Sequence, residues 1–219
     1  MKGFFKVIAS GAMALAISAC AGNAQQEIFV PEGYELIWSD EFDGDSLNTA
    51  NWTPEYGGHG WGNNELQFYT GRKENVDVKD GRLVMTARKE DYNGSPVTSA
   101  RLITLGKFEF RYGYVVASIK LPKTAAKKIA SVMDEFHTYA LEWTPEYIKT
   151  YVDGGQLFYY NPDNYPKGRN ADTWPFNKPF QLKLNLAWGG DWGGMYGVDE
   201  SCLPATFEID YVRVFQIPE

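Results

Sequence analysis

Apolar and polar positions alternate in short runs along most of this chain, and turn-forming residues separate the runs. Residues 107–121 show the alternation well, since Phe108 and Phe110 are followed by Tyr112, Tyr114 and Val116. A period of two indicates strands that bury one face. Further strands are predicted at 82–87, 139–143, 147–152, 180–187 and 207–215. Many short strands of this kind favour an all-β sandwich or jelly roll.

Two Asp-Gly pairs mark predicted hairpins. Asp80-Gly81 lies between two apolar runs, and Asp153-Gly154 follows the run 147–152. Asp-Gly supplies the positive φ angles that tight hairpin turns require. The segment 123–133 differs, because its composition favours helix, but it has only one weak apolar face. We interpret it as a connector whose structure the sequence leaves open.

The N-terminus is typical of an export signal. Lys2 and Lys6 precede an apolar run at 7–18, which is too short to span a bilayer comfortably. The run ends Ile-Ser-Ala-Cys and resembles a bacterial lipobox, with Cys20 as the lipidated residue. We therefore expect a signal peptide at 1–19, a lipidated tether at 20–33 and one domain at 34–219. The alternative is an ordinary signal peptide cut near Ala-Gly-Asn-Ala, with Cys20 incidental.

These features predict an exported bacterial lipoprotein of the cell envelope, at the outer membrane or cell surface. Its contact with the membrane would run only through the anchor. Cys20 and Cys202 are the only cysteines, so lipidation of one leaves no disulfide to form.

Composition narrows the choice of partner. The chain has 219 residues, enough for one sandwich domain, and 16% of them are aromatic. The net charge is −7 and no Lys/Arg run is present, which argues against a nucleic-acid partner. An acidic surface rich in Tyr and Trp suits a neutral polysaccharide or oligosaccharide, although aromatic residues also fill ordinary cores. We expect a monomer.

The stretch from Trp61 to Tyr69 places amides and a carboxylate between aromatic residues. Amides both donate and accept hydrogen bonds, which suits sugar hydroxyl groups. The stretch resembles the substrate-cleft loop of laminarinase-type β-glucanases of glycoside hydrolase family 16. Other segments resemble the family in the same order, and they include 38–42, 51–52, 74–76, 81–83, 136–145, 151–154, 174–176, 184–187, 192–194 and 210–214.

The resemblance covers nearly all of 34–216 and implies a concanavalin A-like jelly roll of two antiparallel sheets. It also implies endo-acting hydrolysis of β-1,3- or mixed-linkage glucans. The implied sugar-binding residues are Trp61, Asn63, Asn64, Glu65, Gln67, Trp143, Asn185, Trp188 and Trp192. The alternative for the loop is a surface turn that caps itself. For Trp143, core packing and sugar contact have equal weight.

Many members of the family carry a structural Ca²⁺. The residues here that match its site are Glu41, the Gly81 carbonyl and Asp210. Oxygen ligands from distant positions suit Ca²⁺. The alternative is that Glu41 and Asp210 only hydrogen-bond the backbone. No cofactor is expected for catalysis.

The catalytic strand of the family is missing. Retaining glycosidases need two carboxyl groups about 5–5.5 Å apart, and the family places them on one strand as Glu-x-Asp-x-x-Glu. Glu208-Ile209-Asp210 has the first half of this pattern but lacks the second Glu, and it matches the family's final strand. We therefore assign no catalytic residue.

The spacing of the family motifs implies a loss of roughly 60 residues between about 122 and 135, or several cleft strands of ordinary length. Such a loss should leave unpaired strand edges and an open core. The sequence thus predicts a family 16-like protein with impaired hydrolysis. The alternatives are a non-catalytic surface glycan-binding lipoprotein and a truncated gene product.

Overall fold

The structure is a computed structural model that describes residues 28–123 and 131–218. The predicted signal peptide, Cys20, the tether up to residue 27 and residues 124–130 of the connector lie outside the described residues. Among those described, no helix combines the length and apolar character that crossing a bilayer would take.

Short strands dominate the described chain, as predicted. They are β1 (Glu35–Asp40), β2 (Thr53–Pro54), β3 (Gln67–Tyr69), β4 (Val76–Lys79), β5 (Arg82–Tyr92), β6 (Ser95–Ser99), β7 (Arg101–Ile103), β8 (Glu109–Phe110), β9 (Gly113–Lys120), β10 (His137–Trp143), β11 (Ile148–Val152), β12 (Gly155–Tyr160), β13 (Phe180–Gln181), β14 (Lys183–Asn185) and β15 (Ala205–Gln216). The α-helical turns are α1 (Ser131–Asp134) and α2 (Gly190–Gly193). Single 3₁₀ turns lie at Gly60–Gly62, Pro162–Asn164 and Glu200–Cys202.

One large sheet contains ten strands. Its order is β12-β11-β10-β9-β15-β5-β6-β3, with β1 paired to β15 and β4 paired to β5. All its pairs are antiparallel except β3 with β6. The register of β15 against β9 shifts between Ile209 and Tyr211, which makes Asp210 the extra residue of a bulge.

Both predicted Asp-Gly hairpins are confirmed. Asp80 and Gly81 have φ values of 53° and 69° and join β4 to β5. Asp153 and Gly154 have φ values of 47° and 75° and join β11 to β12. Two successive positive φ angles favour the type I′ turn, whose twist matches that of the flanking strands.

The second layer is much smaller than the first. It consists of the three-stranded sheet β14-β7-β2 and the two-stranded sheet β13-β8, with strands of two or three residues. Leu102 of β7 packs in one core cluster with Ala117, Ile209 and Val212 of the large sheet. The all-β sandwich predicted from the sequence is therefore present, with layers of unequal size.

The large sheet runs unbroken through the region of the predicted loss. β9 and β10 are direct antiparallel neighbours, paired from His137↔Ile119 to Trp143↔Gly113. The connection at 121–136 therefore joins adjacent strands of one sheet. Apolar surface remains uncovered at the edge strand β12, where Leu157 is 72% and Phe158 52% exposed.

The described chain begins on the outer face of the large sheet. Ile28, Val30 and Tyr34 pack against Tyr114, Val116 and Tyr211. Because side chains alternate along a strand, this face is opposite to the one that packs on the small layer. The contacts thus begin six residues before the domain boundary that the sequence places at 34.

Candidate functional site

The loop that the sequence singles out is a strained turn leading into β3. Trp61 and Asn64 have φ values of 51° and 50°, in the left-handed region. The indole Nε1 of Trp61 donates to the Gly57 carbonyl at 3.0 Å. The Arg101 guanidinium lies 4.4 Å from the centre of the Trp61 ring, and the His59 ring lies 4.3 Å away. Trp61 is thus largely enclosed by its own neighbours.

Backbone hydrogen bonds join this loop to the segment around α2. Leu66 N donates to Trp188 O at 3.0 Å, and Asp191 N donates to Asn63 O at 2.8 Å. Glu65 also forms an isolated bridge with Gly189. The two cleft walls predicted from separate parts of the sequence therefore lie side by side.

Side chains strengthen the same junction. Trp188 N donates to Gln67 Oε1 at 2.7 Å, and Asn64 Nδ2 lies 3.0 Å from Asp191 Oδ1. Gln67 is fully buried, so its amide connects the two walls from beneath the surface. Of the two, only Asn64 is exposed, so only Asn64 can meet a ligand directly as arranged.

A tyrosine links the loop to the small layer. The Tyr69 hydroxyl donates to Glu65 Oε2 at 3.1 Å and accepts from Asn185 Nδ2 at 3.2 Å. Burial is the main cause that raises the pKa of Tyr69, with the nearby Glu65 carboxylate adding to the shift. Tyr69 therefore stays a neutral donor across the physiological pH range.

Arg101 occupies the position opposite Asn185 in the β14–β7 pair. Its Nε donates to Glu55 Oε2 at 2.6 Å, while its guanidinium covers Trp61. Leu102 and Leu184, their neighbours along the strands, face the core. By alternation, Arg101 and Asn185 point to the outer side of the small layer. The candidate cleft therefore opens on the side opposite to Ile28.

Sequence reasoning missed four residues of this site. They are Tyr69, Arg101, Glu55 and Asp191. Tyr69 ends the stretch 61–69 and Asp191 directly precedes Trp192, so their nearness in sequence to predicted site residues was a usable signal. The Glu55–Arg101 pair spans 46 positions and leaves no such local signal.

The most accessible aromatic side chains lie on the second cleft wall, residues 188–194, or just after it. Trp192 is 84% exposed and Tyr196 97% exposed. Within the described ranges, no ring or hydrogen-bond contact occupies the Trp192 indole, unlike that of Trp61. A free indole face is the feature that stacking on a sugar ring requires.

Two other predicted sugar-binding tryptophans pack inward. Trp143 is 4% exposed, belongs to a core cluster with Phe110 and Trp174, and donates Nε1 to Phe176 O at 3.0 Å. For Trp143 the structure therefore describes the core alternative. Trp188 is partly buried and packs on Ala87 and Val97.

The residues named for calcium lie on the outer face of the large sheet. Both carboxylate oxygens of Glu41 bind Arg213, at 2.6 and 2.9 Å. Burial raises the pKa of Asp210, although Arg82 and Arg213 oppose the shift. Residues 28–123 and 131–218 contain no group of three or more His, Cys, Asp or Glu side chains suited to a metal ion. An ion here would need Asp210 together with backbone oxygens such as that of Gly81.

The Glu208-Ile209-Asp210 segment, which matches half of a catalytic strand, faces away from the cleft. Ile209 is fully buried in the core between Glu208 and Asp210. Glu208 instead pairs with Lys120 at 2.6 Å and with Arg82 at 3.5 Å. Its carboxylate is thus neutralised on the outer face and is not positioned for glycosidic chemistry.

Comparisons with known proteins point to one family. The model for glycosyl hydrolases family 16 matches residues 123–213. A beta-glucanase of Rhodothermus marinus is 35% identical, with 84% of this chain and 85% of that protein covered. A glucan endo-1,3-beta-glucosidase A1 of Niallia circulans is 30% identical over 84% of this chain and 38% of that protein.

Comparison with solved structures points to the same family. The laminarinase from Rhodothermus marinus superposes with a TM-score of 0.79 at 33% identity, covering 85% of this chain and 98% of that one. The endo-beta-1,3-glucanase from Pyrococcus furiosus gives 0.73 at 30% identity, covering 85% and 95%.

The lengths of these matches reveal a gap. The Rhodothermus marinus alignment has 245 positions, whereas 84% of 219 residues is about 184 residues, so about 60 positions have no counterpart here.

Proposed function

The chain belongs to family 16 of the glycosyl hydrolases, and from this membership we infer that it recognises β-1,3- or mixed-linkage glucans. The observation that carries the inference is the junction of the two cleft walls, residues 61–69 and 188–194. It brings the exposed Asn64 amide and the exposed Trp192 together, a combination suited to sugar hydroxyls and a sugar face.

We further propose that binding persists while hydrolysis is impaired. Retention needs a nucleophile and an acid/base aimed into one groove. The Glu208–Asp210 segment points outward, and Glu55 and Glu65 are engaged by Arg101 and Tyr69. The supported role is thus that of a surface glycan-binding protein derived from a hydrolase.

Calorimetry with β-1,3-glucan oligosaccharides tests the binding site. We expect Trp192→Ala to weaken affinity at least about tenfold, ~1.4 kcal/mol, because the stacking face is lost. Leu157→Ala, at an apolar position on β12 that is 72% exposed, is the control and should bind normally. Equal affinity of Trp192→Ala and the unchanged protein would remove this site.

A reducing-sugar assay with laminarin tests the loss of hydrolysis. The purified protein should release no more sugar than a heat-inactivated sample, while showing one cooperative thermal transition. Sustained release by protein free of contaminating glucanase would show that a carboxylate pair exists after all.

We also propose that the protein is exported and anchored by a lipid on Cys20, supported by the lipobox-like sequence. Mass spectrometry of the membrane fraction tests this, since Cys20→Ser should release the mature protein from it. On the basis of the family resemblance, we also propose a structural Ca²⁺ near Asp210 and Gly81.

A further inference from the structure

A second pocket lies at the end of the sandwich where β9 begins and β10 ends. Its volume is about 390 Å³, and Tyr112, Pro145, Arg169, Trp174 and Asn177 contribute to its wall. This volume falls within the range of small-molecule sites, which combine aromatic walls with a few polar groups.

Arg169 makes one wall rigid. Its guanidinium donates to Pro145 O at 2.9 Å, to Glu146 O at 2.8 Å and to Asp163 Oδ2 at 2.8 Å. The same group lies 4.6 Å from the centre of the Trp174 ring. Because Asp163 pairs with its charge and most of its donors bond within the protein, Arg169 shapes the pocket and offers little net charge to an anion.

Tyr112 is held in an unusual backbone conformation beside this wall. Its φ is 62°, a region uncommon for a bulky residue, and Gln216 Nε2 donates to the carbonyls of both Arg111 and Tyr112, at 2.9 and 2.7 Å. Its ring meets Trp143 edge-on at 5.2 Å. The turn thus fixes an aromatic ring at the pocket, and such outliers persist where surrounding contacts over-determine them.

Asn177 supplies the polar group that the pocket leaves available. It is exposed, and none of the hydrogen bonds found in the described ranges uses its side-chain amide. By contrast, the Asn170 amide is occupied by Asp172 N, Thr173 N and Lys167 O. An uncommitted amide beside an aromatic ring and a neutralised arginine suits an uncharged, hydroxyl-rich ligand.

From this arrangement we propose that the pocket is a second carbohydrate-binding site, which takes a hexose unit of a neutral oligosaccharide. The sugar face lies against Tyr112, and its hydroxyls bond the Asn177 amide. The site is distinct from the cleft, because none of the residues that line it belongs to 61–69 or 188–194 or is Arg101 or Asn185. The inference depends on the proposed function only for the choice of probe.

Calorimetric stoichiometry with a β-1,3-linked glucose hexasaccharide tests the proposal. The unchanged protein should bind two molecules, and Asn177→Ala and Tyr112→Asn should each bind one. Asparagine suits position 112 because it tolerates positive φ without the ring. Lys178→Ala, an exposed neighbour, is the control and should keep both sites.

The cleft variant Trp192→Ala separates the two proposals. If it retains one site that Asn177→Ala removes, the second site is supported independently of the cleft. A single site in the unchanged protein that Trp192→Ala abolishes would overturn the second site and leave the proposed function intact. Two sites that survive in both Asn177→Ala and Tyr112→Asn would also overturn it, and no binding at all would overturn both proposals.

Discussion

At the scale of single residues, Glu142 shows how a carboxylate is kept within a sheet face. The residue is 6% exposed, and the hydroxyls of Tyr147 and Tyr151 each donate to one of its oxygens at 2.6 Å. Burial alone would raise the pKa of Glu142. The two hydroxyls and the Lys149 ammonium outweigh burial and hold that pKa below its ordinary value.

A carboxyl whose folded pKa is depressed stabilises the fold above its unfolded pKa, about 4.3, and loses that contribution as pH falls through the folded value. We therefore expect Glu142→Gln to lower the free energy of unfolding by about 1.5–3 kcal/mol at pH 7, as for hydrogen bonds to a charged group. The deficit should shrink at pH 3. Urea unfolding at both pH values measures it, with exposed Glu146→Gln as the control. An equal deficit at both pH values would contradict this account.

The burial of Gln67 could not be predicted from the residue and its neighbours in sequence. Apolarity favours burying Leu66 and Phe68, yet Leu66 is exposed and the Gln67 amide is buried. The reason is the parallel pairing of β3 with β6 and the bond from Trp188 N, 121 positions away. Trp192, by contrast, was named from sequence and is exposed, and within the described ranges its indole has no distant partner. Asn64 is exposed as well, but its amide bonds Asp191, 127 positions away, and that contact has no local signal.

At the scale of elements, local signals were enough for the hairpins and insufficient for the small layer. The Asp-Gly turns join strands adjacent in the chain, so the sequence specifies them directly. The sheet β14-β7-β2 joins segments from 53, 101 and 183 onward, with two or three residues each. Pairs this short and distant are set by packing over the whole molecule.

Gly190 sets the contact between the two cleft walls. Its φ is 80°, and a Cβ there would lie 2.6 Å from Asn63 O and 2.7 Å from Asn63 Nδ2. We expect Gly190→Ala to separate the walls and weaken oligosaccharide binding at least about tenfold, ~1.4 kcal/mol, while the protein stays folded.

Gly193→Ala is the matched control, because a Cβ at that position meets nothing within 4 Å. Calorimetry on both variants, with thermal unfolding to confirm the fold, measures the effect. Equal affinity of the two variants would show that the junction does not shape the glucan site.

At the scale of the whole molecule, the predicted loss between about 122 and 135 is compatible with a continuous large sheet. Because β9 pairs directly with β10, the ten-stranded sheet loses no hydrogen-bonded neighbour at the junction. The small layer is in two pieces, β14-β7-β2 and β13-β8. Family motifs predicted the class of fold, whereas only the strand pairing shows that the layers differ in size.

Calcium gives a test at this scale. We expect 5 mM Ca²⁺ to raise the midpoint of thermal unfolding by about 3 °C over EDTA, as ligand binding to the folded state alone would do. Asp210→Asn should abolish the increase, and Mg²⁺ should not reproduce it because Ca²⁺ accepts irregular oxygen cages. A midpoint of unfolding that Ca²⁺ does not change would contradict the calcium site. Arg213 would then be the cation that pairs with Glu41.

The place where the described chain begins has a geometric consequence for an anchored protein. Ile28 packs on the outer face of the large sheet, whereas Arg101 and Asn185 point outward from the small layer, on the opposite side of the sandwich. Eight positions separate Cys20 from Ile28, a leash of at most about 29 Å. A lipid on Cys20 would therefore hold the outer face of the large sheet toward the bilayer. The candidate cleft would then face away from the membrane, toward polysaccharides that arrive from outside.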